Sequence, residues 1–133
     1  MCSGKGYRLV SEQPVEMREM ALHVESSAQA PGVSRSHLAT LKPSLEPRYE
    51  DVLLLVSELV SNSVRHTDSQ GIDLTVVSND GHIRVEVSDD GPGFARDAPR
   101  GDGMGLNIVE KLADRWGLAP GDRFTVWAEL NRA

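Results

Sequence analysis

Three short segments of this 133-residue chain combine residue types that could perform chemistry. In the first, Glu58 and Asn62 are four residues apart, so in a helix they lie on one face, one turn from each other. Arg65 and His66 continue that polar stripe. A carboxylate and an amide oxygen placed in this way could hold a hydrated Mg²⁺, because this ion prefers oxygen ligands. The alternative is an ordinary solvated helix face.

The second segment is an acidic, glycine-containing strand end. Val85 and Val87 precede Asp89 in steps of two, so strand alternation places Asp89 on the apolar face. A carboxylate there must be paired or hydrogen-bonded, and accepting a bond from the exocyclic amine of a base would satisfy it. Gly91 and Gly93 lack side chains, so a flat ring could approach the backbone closely. The alternative is an Asp- and Gly-rich turn, as at the end of any strand.

The third segment places Gly101, Gly103 and Gly105 at the start of a predicted helix. Free backbone N–H groups and the positive end of a helix dipole suit a phosphate group. The spacing is not the dinucleotide-binding fingerprint, and no Gly-Lys-Ser/Thr follows as in a P-loop. The alternative is a flexible loop that leads into a helix.

Hydrophobic periodicity predicts the elements that must position these segments. They are a strand near 20–24, a helix over 33–42, a long helix over 48–66, a hairpin of strands 71–79 and 82–89, a helix over 104–116, and a strand over 123–130. Gly117 is the predicted stop of the last helix. This order predicts one α+β domain over 17–133 with helices on one sheet face, preceded by a loose tail over 1–16.

Composition excludes several classes of function. The chain has 14 Lys and Arg against 20 Asp and Glu, and the net charge of −6 disfavours nucleic acid and anionic membranes as partners. Cys2 is the single cysteine, which excludes an intramolecular disulfide and the common multi-cysteine zinc sites. The longest aliphatic run, Val52 to Val56, is far shorter than the roughly 20 residues of a membrane span. We therefore expect a soluble cytoplasmic protein.

The three segments, in this order, resemble the boxes of the GHKL ATPase superfamily, whose members have the Bergerat ATP-binding fold. Glu58 to His66 resembles the N box, Asp89 to Gly93 the first glycine box, and Gly101 to Leu106 the second. The resemblance covers about residues 20–130 and is closest to the small bacterial anti-sigma-factor serine kinases and stand-alone relatives. It implies a single histidine-kinase-like ATPase domain, with a mixed β-sheet covered by helices on one face.

The resemblance also implies roles for individual residues. Glu58 would be the general base toward a serine hydroxyl of a partner, and Asn62 would hold the Mg²⁺ that bridges the ATP phosphates. Asp89 would accept a hydrogen bond from the adenine amine. Thr125 stands where members often have a threonine that helps this carboxylate, although Phe124 replaces the glycine that usually precedes it, and alternation leaves the facing of Thr125 undecided. The other implied nucleotide-binding residues are Gly91, Gly93, Gly101, Gly103, Met104, Gly105 and Leu106.

By this resemblance, the expected function is that of an ATP- and Mg²⁺-dependent serine/threonine kinase that phosphorylates an antagonist protein. Its expected partners are that antagonist, a sigma factor, or both, and a homodimer is compatible with the sequence. The alternative is a binding module that holds ATP and captures a regulator without transferring phosphate. Glu58 favours the enzyme. A plain α+β domain without a nucleotide is the third interpretation, and three boxes in order disfavour it.

Overall fold

The computed structural model describes residues 17–66, 70–91, 106–119 and 121–132. The predicted tail over 1–16 lies outside them. The elements are β1 (Arg18–Glu25), α1 (Ala30–Leu38), a 3₁₀ turn (Ala39–Leu41), α2 (Lys42–Leu45), α3 (Tyr49–His66), β2 (Gly71–Ser78), β3 (His82–Asp89), α4 (Leu106–Leu112), β4 (Arg115–Ala119) and β5 (Phe124–Asn131). None of the helices in these ranges is long and apolar enough to span a membrane.

The five strands form one sheet in the order β1-β2-β3-β5-β4. Every neighbouring pair in it is antiparallel, so the expectation of a mixed sheet is wrong. The reason is β4, a strand that the predicted order lacks. A strand-helix-strand connection from β3 to β5 would make them parallel, but β4 reverses the chain once more before β5 begins.

The helices cover one face of the sheet, as predicted. The long helix α3 packs against β3 and lies between α1 and α4. Its predicted apolar stripe is buried in full and consists of Val52, Leu55, Val56, Leu59 and Val60. The strands add every second residue to the same layer, as Ile83, Val85 and Val87 do from β3. Burying each such side chain contributes about 1.5–3 kcal/mol, so this layer fixes how α3 sits on the sheet.

The first helix begins earlier than predicted and buries a different face. It starts at Ala30 because Pro31 is tolerated in the first turn of a helix. Its buried residues are Ala30, Ser34 and Leu38, whereas Val33 is 41% exposed. Ser34 fits this inward stripe because its hydroxyl donates to the Ala30 carbonyl over 2.8 Å.

The predicted helix over 104–116 is too long at its C-terminal end. Helix α4 ends at Leu112, and Trp116 and Gly117 belong to β4, where they pair with Ala128 and Trp127. Gly117 is therefore a strand residue and not a helix stop. Glycine is needed at this position because the backbone lies close to the Trp127 ring, and a Cβ there would be 2.8 Å from it.

Ion pairs occupy the sheet face that the helices leave uncovered. The Arg84 guanidinium stacks on Trp127, 4.5 Å from the ring centroid, and pairs with Glu86 and Glu129. Arg115 pairs with the other oxygen of Glu129. Hydrogen bonds from Arg84 and Arg115 hold the pKa of Glu129 below its ordinary value. This network joins β3, β4 and β5 at the end of the sheet away from Asp89.

Candidate functional site

Asp89 ends β3 with its side chain pointing under the helices, which confirms the facing expected from strand alternation. It is 3% exposed. Its Oδ2 accepts a hydrogen bond from Ser63 Oγ over 2.6 Å, and its Oδ1 accepts one from the Gly91 N–H over 2.8 Å. Each carboxylate oxygen has capacity for a further donor. The carboxylate is thus fixed in orientation and able to accept a bond from a bound amine.

Asn62 is 2% exposed near the C-terminal end of α3. Arg65 Nη2 donates to its Oδ1 over 2.9 Å. Its Nδ2 has no hydrogen-bond partner among the residues that the structure describes. Buried amide groups are nearly always paired, so this group marks a place where a polar ligand would be satisfied. A carboxamide, with its acceptor oxygen and its NH₂ donor group, suits the phosphates and Mg²⁺ of a bound nucleotide.

Glu58 is half-buried on α3. Because α3 is continuous over Tyr49–His66, Glu58 and Asn62 share a helix face one turn apart, as predicted. The carboxylate therefore lies on the side of the helix that also carries the buried amide. Of His66, the structure describes the backbone only.

Thr125 is not brought to Asp89. In the register of β3 with β5, Asp89 pairs with Phe124, and Thr125 pairs with Ser88. Cross-strand partners share a sheet face, so Thr125 lies on the uncovered face, where its hydroxyl is 2.6 Å from Ser88 Oγ. The expectation that Thr125 helps Asp89 is wrong, because alternation turns it away. Phe124, which is 7% exposed, occupies the position next to the carboxylate.

Ser63 is the site residue that sequence reasoning missed. It is 8% exposed and lies four residues after Leu59, so it continues the inward stripe of α3. A hydroxyl at the end of a buried apolar stripe needs a polar partner, and that pattern was the available signal.

Charged residues on the other face fix the segment that follows Asp89. Arg123 donates from Nε to Asp90 Oδ1 over 2.8 Å and also pairs with Asp73. His23 Nδ1 lies 2.7 Å from the other oxygen of Asp73. Burial alone would raise the pKa of Asp73, but hydrogen bonds from Arg123 and His23 and their charges lower it below its ordinary value. Hydrogen bonds to Asp73 and Asp90, and the charges of these carboxylates, raise the pKa of Arg123. Strands β1 and β2 are thereby joined, beside the site, to the residue that follows β3 and the residue that precedes β5.

The last glycine of the first glycine box and most of the second box lie outside the described residues. Gly93, Gly101, Gly103, Met104 and Gly105 lie there, so their predicted nucleotide contacts stay predictions. Leu106 begins α4, and only its backbone is described. Gly91 is described, and its N–H orients Asp89.

Comparison with curated proteins finds sensor kinases. The chain is 32% identical over 82 residues to the sensor protein kinase CarS of Pseudomonas aeruginosa, a match that covers 51% of this chain and 18% of CarS. It is 31% identical over 75 residues to the nitrate/nitrite sensor protein NarX of Escherichia coli, covering 55% of this chain and 12% of NarX. The chain therefore spans less than a fifth of the length of these relatives.

Solved structures share the fold. The RsbU and RsbW domains of Rv1364c from Mycobacterium tuberculosis superpose with a TM-score of 0.65 at 20% identity, covering 86% of this chain and 32% of that one. The Acinetobacter baumannii histidine kinase AdeS gives a TM-score of 0.53 at 13% identity, covering 86% of this chain and 68% of that one.

A family model described as histidine kinase-, DNA gyrase B-, and HSP90-like ATPase matches residues 48–132, well over half of the chain. The match includes the segments that contain Asn62, Ser63 and Asp89, which the fold brings to one end of the helix-sheet interface. The chain therefore belongs to the histidine kinase-, DNA gyrase B- and HSP90-like ATPase family and contains its ATP-binding domain.

Proposed function

We propose that this chain is an ATP-dependent protein kinase that phosphorylates a serine of an antagonist protein, as an anti-sigma-factor kinase does. The observation that carries the proposal is the pair on α3, a half-buried Glu58 one helical turn from the buried amide of Asn62. The fold likeness to a chain that contains an RsbW domain supports the serine branch of the family.

Each side chain would have one task in the transfer. Glu58 would accept the proton of the serine hydroxyl while that oxygen attacks the γ-phosphorus and the bond to the ADP oxygen breaks. Asp89 would accept a bond from the adenine amine and so hold the nucleotide in place. Asn62 Oδ1 would be a ligand of Mg²⁺, which supplies charge neutralisation on the phosphates when bound.

A histidine acceptor is the second candidate. A 27% identity over 82 residues to the sensor histidine kinase GraS of Staphylococcus haemolyticus favours it. The two candidates differ in the product, because phosphohistidine is hydrolysed in acid and phosphoserine is not.

The third candidate is a binding module that captures a regulator in its ATP-bound form without transferring phosphate, and it would use the same residues except Glu58. The serine kinase and the binding module would both act in the cytoplasm, where ATP is available, with a sigma factor, an antagonist or both as partners. Only a measurement of transfer separates the module from the enzyme.

The test is a capture experiment followed by transfer from radiolabelled ATP. Proteins retained by the chain with ATP and Mg²⁺ are incubated with wild type, Glu58→Gln and Glu50→Gln. Glutamine keeps the size of Glu58 but cannot accept a proton, so transfer should fall by about 10²–10⁴-fold. Glu50 is exposed in the first turn of the same helix, so its variant should transfer like the wild type.

The product identifies the acceptor. Acid-stable label that maps to a serine supports the proposal, and acid-labile label supports the histidine candidate. Capture without transfer by the wild type supports the binding module. If Glu58→Gln transfers as fast as the wild type, Glu58 is not the base.

A further inference from the structure

Among the described residues, the hydroxyl that bonds to the buried carboxylate of the site comes from a helix. Ser63 Oγ on α3 lies 2.6 Å from Asp89 Oδ2. The strand β5 contributes Phe124 opposite Asp89, and its hydroxyl residue, Thr125, faces the other side of the sheet. The arrangement differs from the one that the resemblance implied, in which a strand threonine assists the carboxylate.

The contact is well suited to fix the orientation of the carboxylate. Both partners are more than nine-tenths buried, so little water competes for the bond. An ionised carboxylate only accepts hydrogen bonds, so the Ser63 hydroxyl must be the donor. With the Gly91 N–H on the other oxygen, each oxygen has one donor from the part of the chain that the structure describes, and rotation of the carboxylate would break both bonds.

Phe124 stands at the position from which a strand hydroxyl could otherwise have oriented Asp89. It is the cross-strand neighbour of the carboxylate and lies on the same face, but its ring offers no hydroxyl or amide group. Polar orientation from the described residues therefore comes from Ser63 and the Gly91 backbone.

We propose that Ser63 is the positioning residue for base recognition by Asp89, and that Thr125 takes no part in it. This inference rests on the proposed ATP site. A correctly oriented carboxylate accepts from the 6-amino group of adenine, whereas inosine presents a carbonyl oxygen there and repels it. Ser63 therefore contributes to the preference for ATP over ITP, and not only to the stability of the fold.

The test compares ATP and ITP affinities of the full chain by calorimetry, with thermal unfolding of each variant in parallel. Ser63→Ala should lose about tenfold in ATP affinity and change little in ITP affinity, because a hydrogen bond to a charged acceptor is stronger than a neutral one. Ser63→Thr keeps the hydroxyl and should keep the wild-type ratio. Ser63→Cys is nearly isosteric with a weaker donor, so it should give an intermediate ratio and remain informative if Ser63→Ala does not fold.

Thr125→Val is the matched control, because it removes a half-buried hydroxyl one residue from the register partner of Asp89. It should leave both affinities unchanged. An unchanged ATP/ITP ratio in Ser63→Ala or Ser63→Cys, with only a lower melting temperature, would overturn the inference and leave the ATP site standing. So would an equal change in Thr125→Val. No ATP binding by the wild type would instead overturn the proposed function itself.

Discussion

At the scale of single residues, the oxygen and the nitrogen of the Asn62 amide differ in their hydrogen bonding. Its Oδ1 accepts from Arg65, while its Nδ2 is buried without a partner among the residues described. A metal bound to this oxygen would lie close to the Arg65 guanidinium, because the oxygen already accepts one hydrogen bond from it. We therefore expect the positive charge of Arg65 to oppose Mg²⁺ binding at this atom until the phosphates of a nucleotide are present.

Asn62→Ala should accordingly weaken ATP binding with Mg²⁺ much more than ATP binding with chelator. The variant removes the oxygen that we propose as a Mg²⁺ ligand but leaves in place the Asp89 carboxylate that we propose to bind the base. Calorimetry under the two conditions gives the comparison. Ser61→Ala, at the preceding position of α3, is the control and should behave like the wild type in both. Equal losses with and without Mg²⁺ would mean that Asn62 is not a metal ligand.

The sequence predicted which sheet face a side chain takes where apolar and polar residues alternate clearly along the strand. Asp89 follows two valines in steps of two, and burial of that face fixed its direction. Thr125 could not be assigned, because its strand has large apolar residues on both faces, with Trp127 covered by Arg84 on the outer one. Ser63 was missed because its role depends on a partner 26 residues away along the chain.

At the scale of elements, the cluster around Arg123 joins strands that are distant in sequence. It links Asp73 of β2 to Asp90, directly after β3, and His23 of β1 contacts the same Asp73. The pKa of Asp73 lies below its ordinary value because the hydrogen bonds outweigh burial. A carboxyl group whose pKa is lower in the folded state stabilises the fold above its unfolded pKa, and this stabilisation is lost as the pH falls through the folded value.

Asp73→Asn should therefore lower the free energy of unfolding at pH 7, and its difference from the wild type should shrink as the pH falls below about 4. Urea unfolding at a series of pH values measures this. Asp80→Asn, exposed in the turn at the other end of the same hairpin, should follow the wild-type profile. A difference between wild type and Asp73→Asn that stays constant down to pH 2 would show that the ion pairs do not stabilise the charged carboxylate.

The element that escaped prediction is β4, and the reason is local. The apolar residues before it repeat at helical spacing, and Trp116 also fits a continuation of that pattern. What ends the helix is tertiary: the Asp114 N–H bonds to the Glu129 carbonyl, and the Asp114 carboxylate accepts from the Asn131 N–H. The missed strand then also produced the wrong expectation of a mixed sheet.

At the scale of the whole molecule, the order of the three motifs was more informative than any one of them. Sequence identified the ATPase family, which the family model confirms, and the single layer of helices on a sheet. The structure added the contact between α3 and β3, in which Ser63 bonds to Asp89, and this contact brings the first two motifs together.

The most direct measurement of the central claim is a calorimetric titration of the wild type, Asp89→Asn and Asp90→Asn with ATP and with GTP, in the presence of Mg²⁺. We predict that the wild type prefers ATP and that Asp89→Asn loses most of this preference, because an unpaired buried partner costs about 1–3 kcal/mol. Asp90 is exposed and pairs with Arg123, so its variant should keep the preference. Unchanged ATP and GTP affinities in Asp89→Asn would show that Asp89 does not recognise the base, and no ATP binding by the wild type would show that the chain has no ATP site.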